Sequence, residues 1–138
     1  MTSSPAAYDT IRTHLADTGR APAFYDLILT GDLGSLGKKI VADLFRRDGI
    51  DLSDRYEDCG CLLYDPETQD VHAGASGCGC SALVLTGYLL PGLRNGTWSN
   101  ILFCGTGALH SPTATMQGES IPGICHAVAI SARKEARP

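Results

Sequence analysis

The run Gly74-Ala75-Ser76-Gly77-Cys78-Gly79-Cys80-Ser81 is the part of this sequence best suited to chemistry. An apolar stretch follows it at once, and its spacing predicts a helix from Ser81 to about Leu93, ended by Asn95-Gly96. The run therefore belongs at a helix N-terminus. The first backbone N–H groups of a helix have no partner inside it, and its dipole is positive at that end. Gly74, Ser76, Gly77, Cys78 and Gly79 could thus hold an anion with no Lys or Arg beside it. The competing reading is that the glycines only let helices pack closely. Cys78 and Cys80 share the helix end, where a thiolate is stabilised. For Cys80, burial as a small packing residue is the plainer role.

Three other positions could act with this run. His72 stands just before it. Asp32 lies in the turn Gly31-Asp32-Leu33-Gly34 after a short apolar segment, where an ionised carboxylate cannot donate to an oxyanion. Capping the following helix is its simplest use, and holding a cation is the other. His126 falls in an apolar final strand, a setting in which a histidine is more often a satisfied core group than a ligand. Gln117, Glu119 and Ser120 belong to a long connection after Cys104 and could rim a pocket. Cys59-x-Cys61 and Cys78-x-Cys80 with His72 offer zinc ligands, but C-x-C is a poorer zinc signature than C-x-x-C. Neither a metal nor a cofactor is expected as a resident group.

Bulk properties narrow the classes of function. The 138 residues are 43% hydrophobic and 19% charged, as in a globular domain, and 16 glycines gather in short runs. A formal net charge of −4 without a basic run gives no footprint for nucleic acid. The stretch Ala82–Leu90 is interrupted by Thr86 and Gly87 and falls far short of the ~20 residues that span a bilayer. The first residues lack the basic and apolar regions of a signal peptide, so synthesis in the cytoplasm is expected, and with it six free cysteines rather than a disulfide framework.

The elements that must position these residues follow from punctuation and periodicity. Ser4-Pro5 reads as a helix start, Ala7, Ile11 and Leu15 as one face, and Gly19 as the stop. Phe24–Thr30 reads as a strand and Ser35–Asp48 as a second helix with Leu36, Ile40, Val41, Leu44 and Phe45 on one face. Leu62-Leu63-Tyr64 reads as a short strand, Trp98–Cys104 as another and Ile124–Ser131 as the last. Gly105 to Glu119 reads as loop, and Ala132 to Pro138 as a frayed tail. The pattern is α/β, helices layered on a mixed sheet in one domain over residues 1–138, and its opening strand is missing because a helix comes first.

Several segments together carry a resemblance: Tyr25–Gly34, Asp58-Cys59-Gly60, Gln69–Ala82, Gly105–Leu109 and Ile121–Val128. They resemble the stage V sporulation protein AD family, itself similar to thiolases and condensing enzymes. The resemblance implies the C-terminal half of a thiolase-like fold, with the N-terminal half lacking. It implies a non-catalytic component that binds dipicolinic acid, free or as its calcium chelate, and serves its uptake into the spore. Partners would be other stage V sporulation membrane proteins, and the missing N-terminal half or a homodimer partner. The location would be peripheral, at the spore inner membrane. The ligand-binding set would be Asp32, His72, Gly74, Ser76, Gly77, Cys78, Gly79 and His126. Set beside thiolases, His72 takes the place of a catalytic histidine one residue out of step, Cys78 that of an oxyanion partner, and Cys104 that of an acid-base cysteine, although packing suits Cys104 better. A thiolase-like acyltransferase using an activated cysteine is the alternative.

Overall fold

The computed structural model describes residues 3–52, 54–63, 82–108 and 123–132. Its first helix, α1 (Ser3–Thr18), buries Ala7, Ile11 and Leu15, the stripe that the sequence spacing gives. A 3-10 turn, Pro22–Phe24, leads into strand β1 (Leu27–Thr30). Helix α2 (Gly34–Arg47) follows, burying Val41 and Phe45. Gly19 and Gly49 end α1 and α2 with φ of 64° and 79°, the left-handed conformation in which glycine suffers no Cβ clash.

Strand β2 (Tyr56–Asp58) runs straight into a short helix, α3 (Cys59–Leu63). Helix α4 covers residues 82–94. It is π-helical through Leu85–Leu89, where the Leu90 N–H reaches back five residues to the Leu85 carbonyl, and α-helical again through Leu90–Arg94. Pro91 supplies the reason. It has no N–H to give, and its ring crowds the carbonyl one turn back, so a widened turn carries the chain past it. Strands β3 (Asn100–Ala108) and β4 (Gly123–Ser131) complete the sheet.

The strand order is β2-β1-β3-β4. β1 is parallel to β2 and to β3, and β4 is antiparallel to β3. The mixed α/β architecture expected from the sequence is therefore found. On one face α1 and α2 close a core around Ile28, Phe45, Leu102 and Cys104. On the other, α4 packs Val84, Leu89 and Leu93 with Trp98 against Leu29 and Ile101.

Four local expectations are corrected. Ser4 does not cap α1: it lies inside the helix, buried, and its hydroxyl donates to the Gly37 carbonyl of α2 at 3.4 Å. The strand placed at Leu62-Leu63 is the end of α3, because an apolar pair is too short for periodicity to separate strand from helix. The strand placed from Trp98 begins at Asn100 and runs on to Ala108, so Gly105–Ala108 is ladder rather than loop. Tyr56–Asp58, unassigned in the sequence, is an edge strand.

Candidate functional site

Three parallel strands point their carboxyl ends the same way, and ligands of open α/β sheets bind at such ends. Two tight connections meet there. The turn from Gly31 to Leu33 leaves β1 for α2 and is tied to both neighbouring strands. Gly31 donates its N–H to the Cys104 carbonyl at 2.8 Å, and its own carbonyl accepts from the Cys59 N–H at 3.2 Å. The second connection is Asp58-Cys59-Gly60, where β2 becomes α3.

Asp58 joins the two. Register sets it beside Thr30, the last residue of β1, and its side chain is fully buried. One carboxylate oxygen, Oδ1, accepts from the Thr30 hydroxyl at 2.5 Å and from the Leu33 N–H at 3.0 Å. The other, Oδ2, accepts from the Gly34 N–H at 3.0 Å and the Gly60 N–H at 3.1 Å. Asp58 thus caps α2 across the sheet, a role the sequence assigned to Asp32. Burial pushes the Asp58 carboxyl up from its ordinary range, while these four bonds pull against that. Thr30 also bonds the Tyr56 hydroxyl at 2.9 Å, and burial raises that phenol well above its usual value.

Asp32 lies over this hub and caps no helix among the described residues. Its Oδ2 is buried and has no hydrogen-bond partner among the described residues. A Cβ placed on Gly60 would stand 2.1 Å from Asp32 Oδ1, so only glycine leaves room for the carboxylate. Burial first, then the neighbouring Asp58 charge, raises the Asp32 carboxyl. Ionised, this oxygen attracts a cation; protonated, it can donate to an anion. At the rim Lys38 pairs with Glu57 at 3.0 Å. Cys61 is a free thiol, and burial with the nearby Asp58 pushes it up to about 11, which makes it a poor nucleophile near neutrality.

The direction of the Asp32 shift gives a test. A carboxyl raised in the folded chain is penalised when ionised, relative to the unfolded chain. That penalty is fully present above the raised value and gone below the ordinary 3.8. Asp32→Asn is therefore expected to raise the urea midpoint at neutral pH, with the gain shrinking as pH falls toward the ordinary value. A variant less stable than wild type at neutral pH, or a gain that grows in acid, would contradict this account of the charge.

Of the residues chosen from sequence, Asp32 and His126 are described. His126 is exposed, not a core histidine: it opposes Gly105 on the side of the sheet away from Cys104. Because Gly31 bonds to Cys104, the two candidates occupy the same end of the sheet with β3 between them. His72, Gly74, Ser76, Gly77, Cys78 and Gly79 lie outside the described residues, as do Gln117, Glu119 and Ser120. Cys104 is fully buried, in keeping with a packing role. The sequence reading passed over Thr30, Tyr56 and the connecting role of Asp58. The one signal available was an aspartate directly before Cys-Gly, at the point where a strand gives way to a helix.

Comparison with known proteins gives two findings. The chain matches the family described as Stage V sporulation protein AD over residues 1–131. It is 46% identical over 125 residues to the protein named Stage V sporulation protein AD from Bacillus subtilis (strain 168). That alignment takes in 91% of this chain and 37% of the relative, so the chain spans little more than a third of the relative's length.

Proposed function

Because this chain belongs to the Stage V sporulation protein AD family, we propose that it is part of a non-catalytic protein that binds dipicolinic acid and serves its uptake during sporulation. The family match carries this reading, since it runs through both the Asp32 turn and the Gly74–Cys80 segment. Dipicolinate is a flat diacid, and the described strand ends present carboxyls rather than cations. The ligand is then best met as its calcium chelate, with the Asp32 oxygen that has no partner among the described residues turned to the metal, or by a protonated Asp32 that donates to a ligand carboxylate. The glycines of the 74–79 run, expected from sequence at a helix N-terminus, would take the other carboxylate.

The remaining part of a family-length chain, or a second copy, would seat on the groove of about 430 Å³ lined by Leu62, Leu83, Val84, Gly87 and Tyr88. Leu83 and Tyr88 are at least half exposed there, an apolar surface of the kind that marks contact with another chain segment. No helix among the described residues is long and apolar enough to cross a membrane. The association proposed with stage V membrane proteins at the spore inner membrane is peripheral.

Calorimetric titration with dipicolinate, with and without calcium, tests the reading on a family-length protein and on this chain. Saturable heat is expected from the former, and weaker or no heat from the latter. No heat from the family-length protein would overturn the ligand. Equal heat from this chain alone would overturn the view that it supplies only part of a site.

A further inference from the structure

A second cluster of reactive groups begins beside Thr30, on the same face of the sheet under α1, and the site above makes no use of its thiols. Cys104 of β3 opposes Ala127, and Cys125 of β4 opposes Thr106. The two cysteines are therefore diagonal neighbours on one face of the antiparallel pair, and both belong to the core that α1 covers. Both are free thiols. Their side chains lie within hydrogen-bonding reach of each other. The Thr10 hydroxyl of α1 donates to the Cys125 carbonyl at 3.1 Å, tying this end of β4 to the helix above it. Cys125 is partly exposed whereas Cys104 is not. The pair thus has an accessible sulfur with a buried thiol directly behind it, the arrangement of an attacking and a resolving cysteine.

We propose that Cys104 and Cys125 form a redox-active dithiol that closes, under a peroxide oxidant, to a reversible disulfide between β3 and β4. The Cys125 thiolate attacks one peroxide oxygen; the O–O bond breaks, and the departing hydroxide takes a proton to leave as water. Cys125 is left as a sulfenic acid. The Cys104 sulfur then attacks the Cys125 sulfur, the S–O bond breaks, and the hydroxyl leaves with the Cys104 proton as a second water. Two thiols are oxidised by two electrons, and one hydrogen peroxide is reduced to two waters. Diagonal neighbours start farther apart than a relaxed disulfide holds its Cβ atoms. Closure must draw the strands together beneath α1, and a strained bond of this kind is readily reduced, which suits a switch rather than a permanent staple.

Hydrogen peroxide on the purified chain provides the test. Cleavage at Lys, Arg and Glu leaves Cys104 in the peptide of residues 95–119 and Cys125 in that of residues 120–133, with no other cysteine in either. Mass spectrometry after thiol blocking should find these two peptides joined, two hydrogens lighter than their sum, and parted again by dithiothreitol. In Cys104→Ser the joined species should vanish and Cys125 should accumulate as a sulfenic acid captured by dimedone. In Cys125→Ser, Cys104 should stay reduced. The proposal is overturned if wild-type Cys125 remains a thiol while other cysteines oxidise, or if its disulfide partner is any residue other than Cys104. The wild-type measurement decides the matter even if either serine variant fails to fold.

Discussion

Replacing Asp58 with alanine is expected to cost about 3–5 kcal/mol, since each buried donor left without an acceptor loses about 1–3 kcal/mol and water restores only some of them. Four donors converge on this carboxylate: the Thr30 hydroxyl and the Leu33, Gly34 and Gly60 N–H groups. Against a total stability of about 5–15 kcal/mol, that is about a fifth or more of the free energy of folding. Asp58→Asn tests whether shape or acceptor number matters. Asparagine keeps one acceptor oxygen but turns an NH₂ toward two N–H groups, so its loss should approach that of alanine rather than fall midway. Urea denaturation of both variants checks this. An alanine variant within about 1 kcal/mol of wild type would show that the hub does not hold β2 to α2, because one hydrogen bond alone contributes about that much.

Gly92→Ala carries the other large effect, in the opposite direction from helix propensity. An exposed glycine in a helix gains up to about 1 kcal/mol from alanine. At Gly92 the new Cβ would stand 2.1 and 2.3 Å from two carbons of the Trp98 ring. Trp98 is buried, its ring is packed edge-on against Tyr88 at 5.1 Å, and its N–H, like that of Thr97, returns to the Gly92 carbonyl. The indole cannot step aside without opening the α4 side of the core. Overpacking of this kind costs about 1–3 kcal/mol, and the clash outweighs the propensity gain. Trp98 is the sole tryptophan, so its emission reports the change directly. A lower urea midpoint with red-shifted emission is expected. Wild-type values for both would mean that the helix moves off the ring without penalty.

The helices and long strands were legible in the sequence because each carries its own period. α2 was placed at Ser35–Asp48 and lies at Gly34–Arg47, with Val41 and Phe45 inside as expected but Leu36, counted on the same face, exposed. β4 was placed within a residue of its true start. What escaped was set by contacts between distant segments. Tyr-Glu-Asp has no strand pattern of its own, and Tyr56–Asp58 becomes β2 because Ile28–Thr30 lies alongside in register. The capping of α2 was sought in the adjacent Asp32, where local rules look, but is delivered by Asp58, 24 residues beyond the Gly34 N–H that it accepts from. The helix over residues 82–94 was found, yet its π-helical middle was not, although Pro91 stood in the sequence as a warning. Asp32 was picked out in the sequence, and the core setting favoured there for His126 failed, because a strand at the edge of the described sheet leaves that side chain exposed.

The sheet is unevenly knitted, and this bears on how the molecule can move. β3 and β4 are paired through nine residues, β1 and β3 through four, and β1 and β2 through only three. Free energies of local opening follow the amount of ladder and packing that must be given up. The long ribbon forms the slow, late-opening unit of the domain, and β2 the fast one. Asp58 stands at the end of that shortest strand, so the hub beside Asp32 can loosen and re-form while the ribbon beneath α1 stays closed.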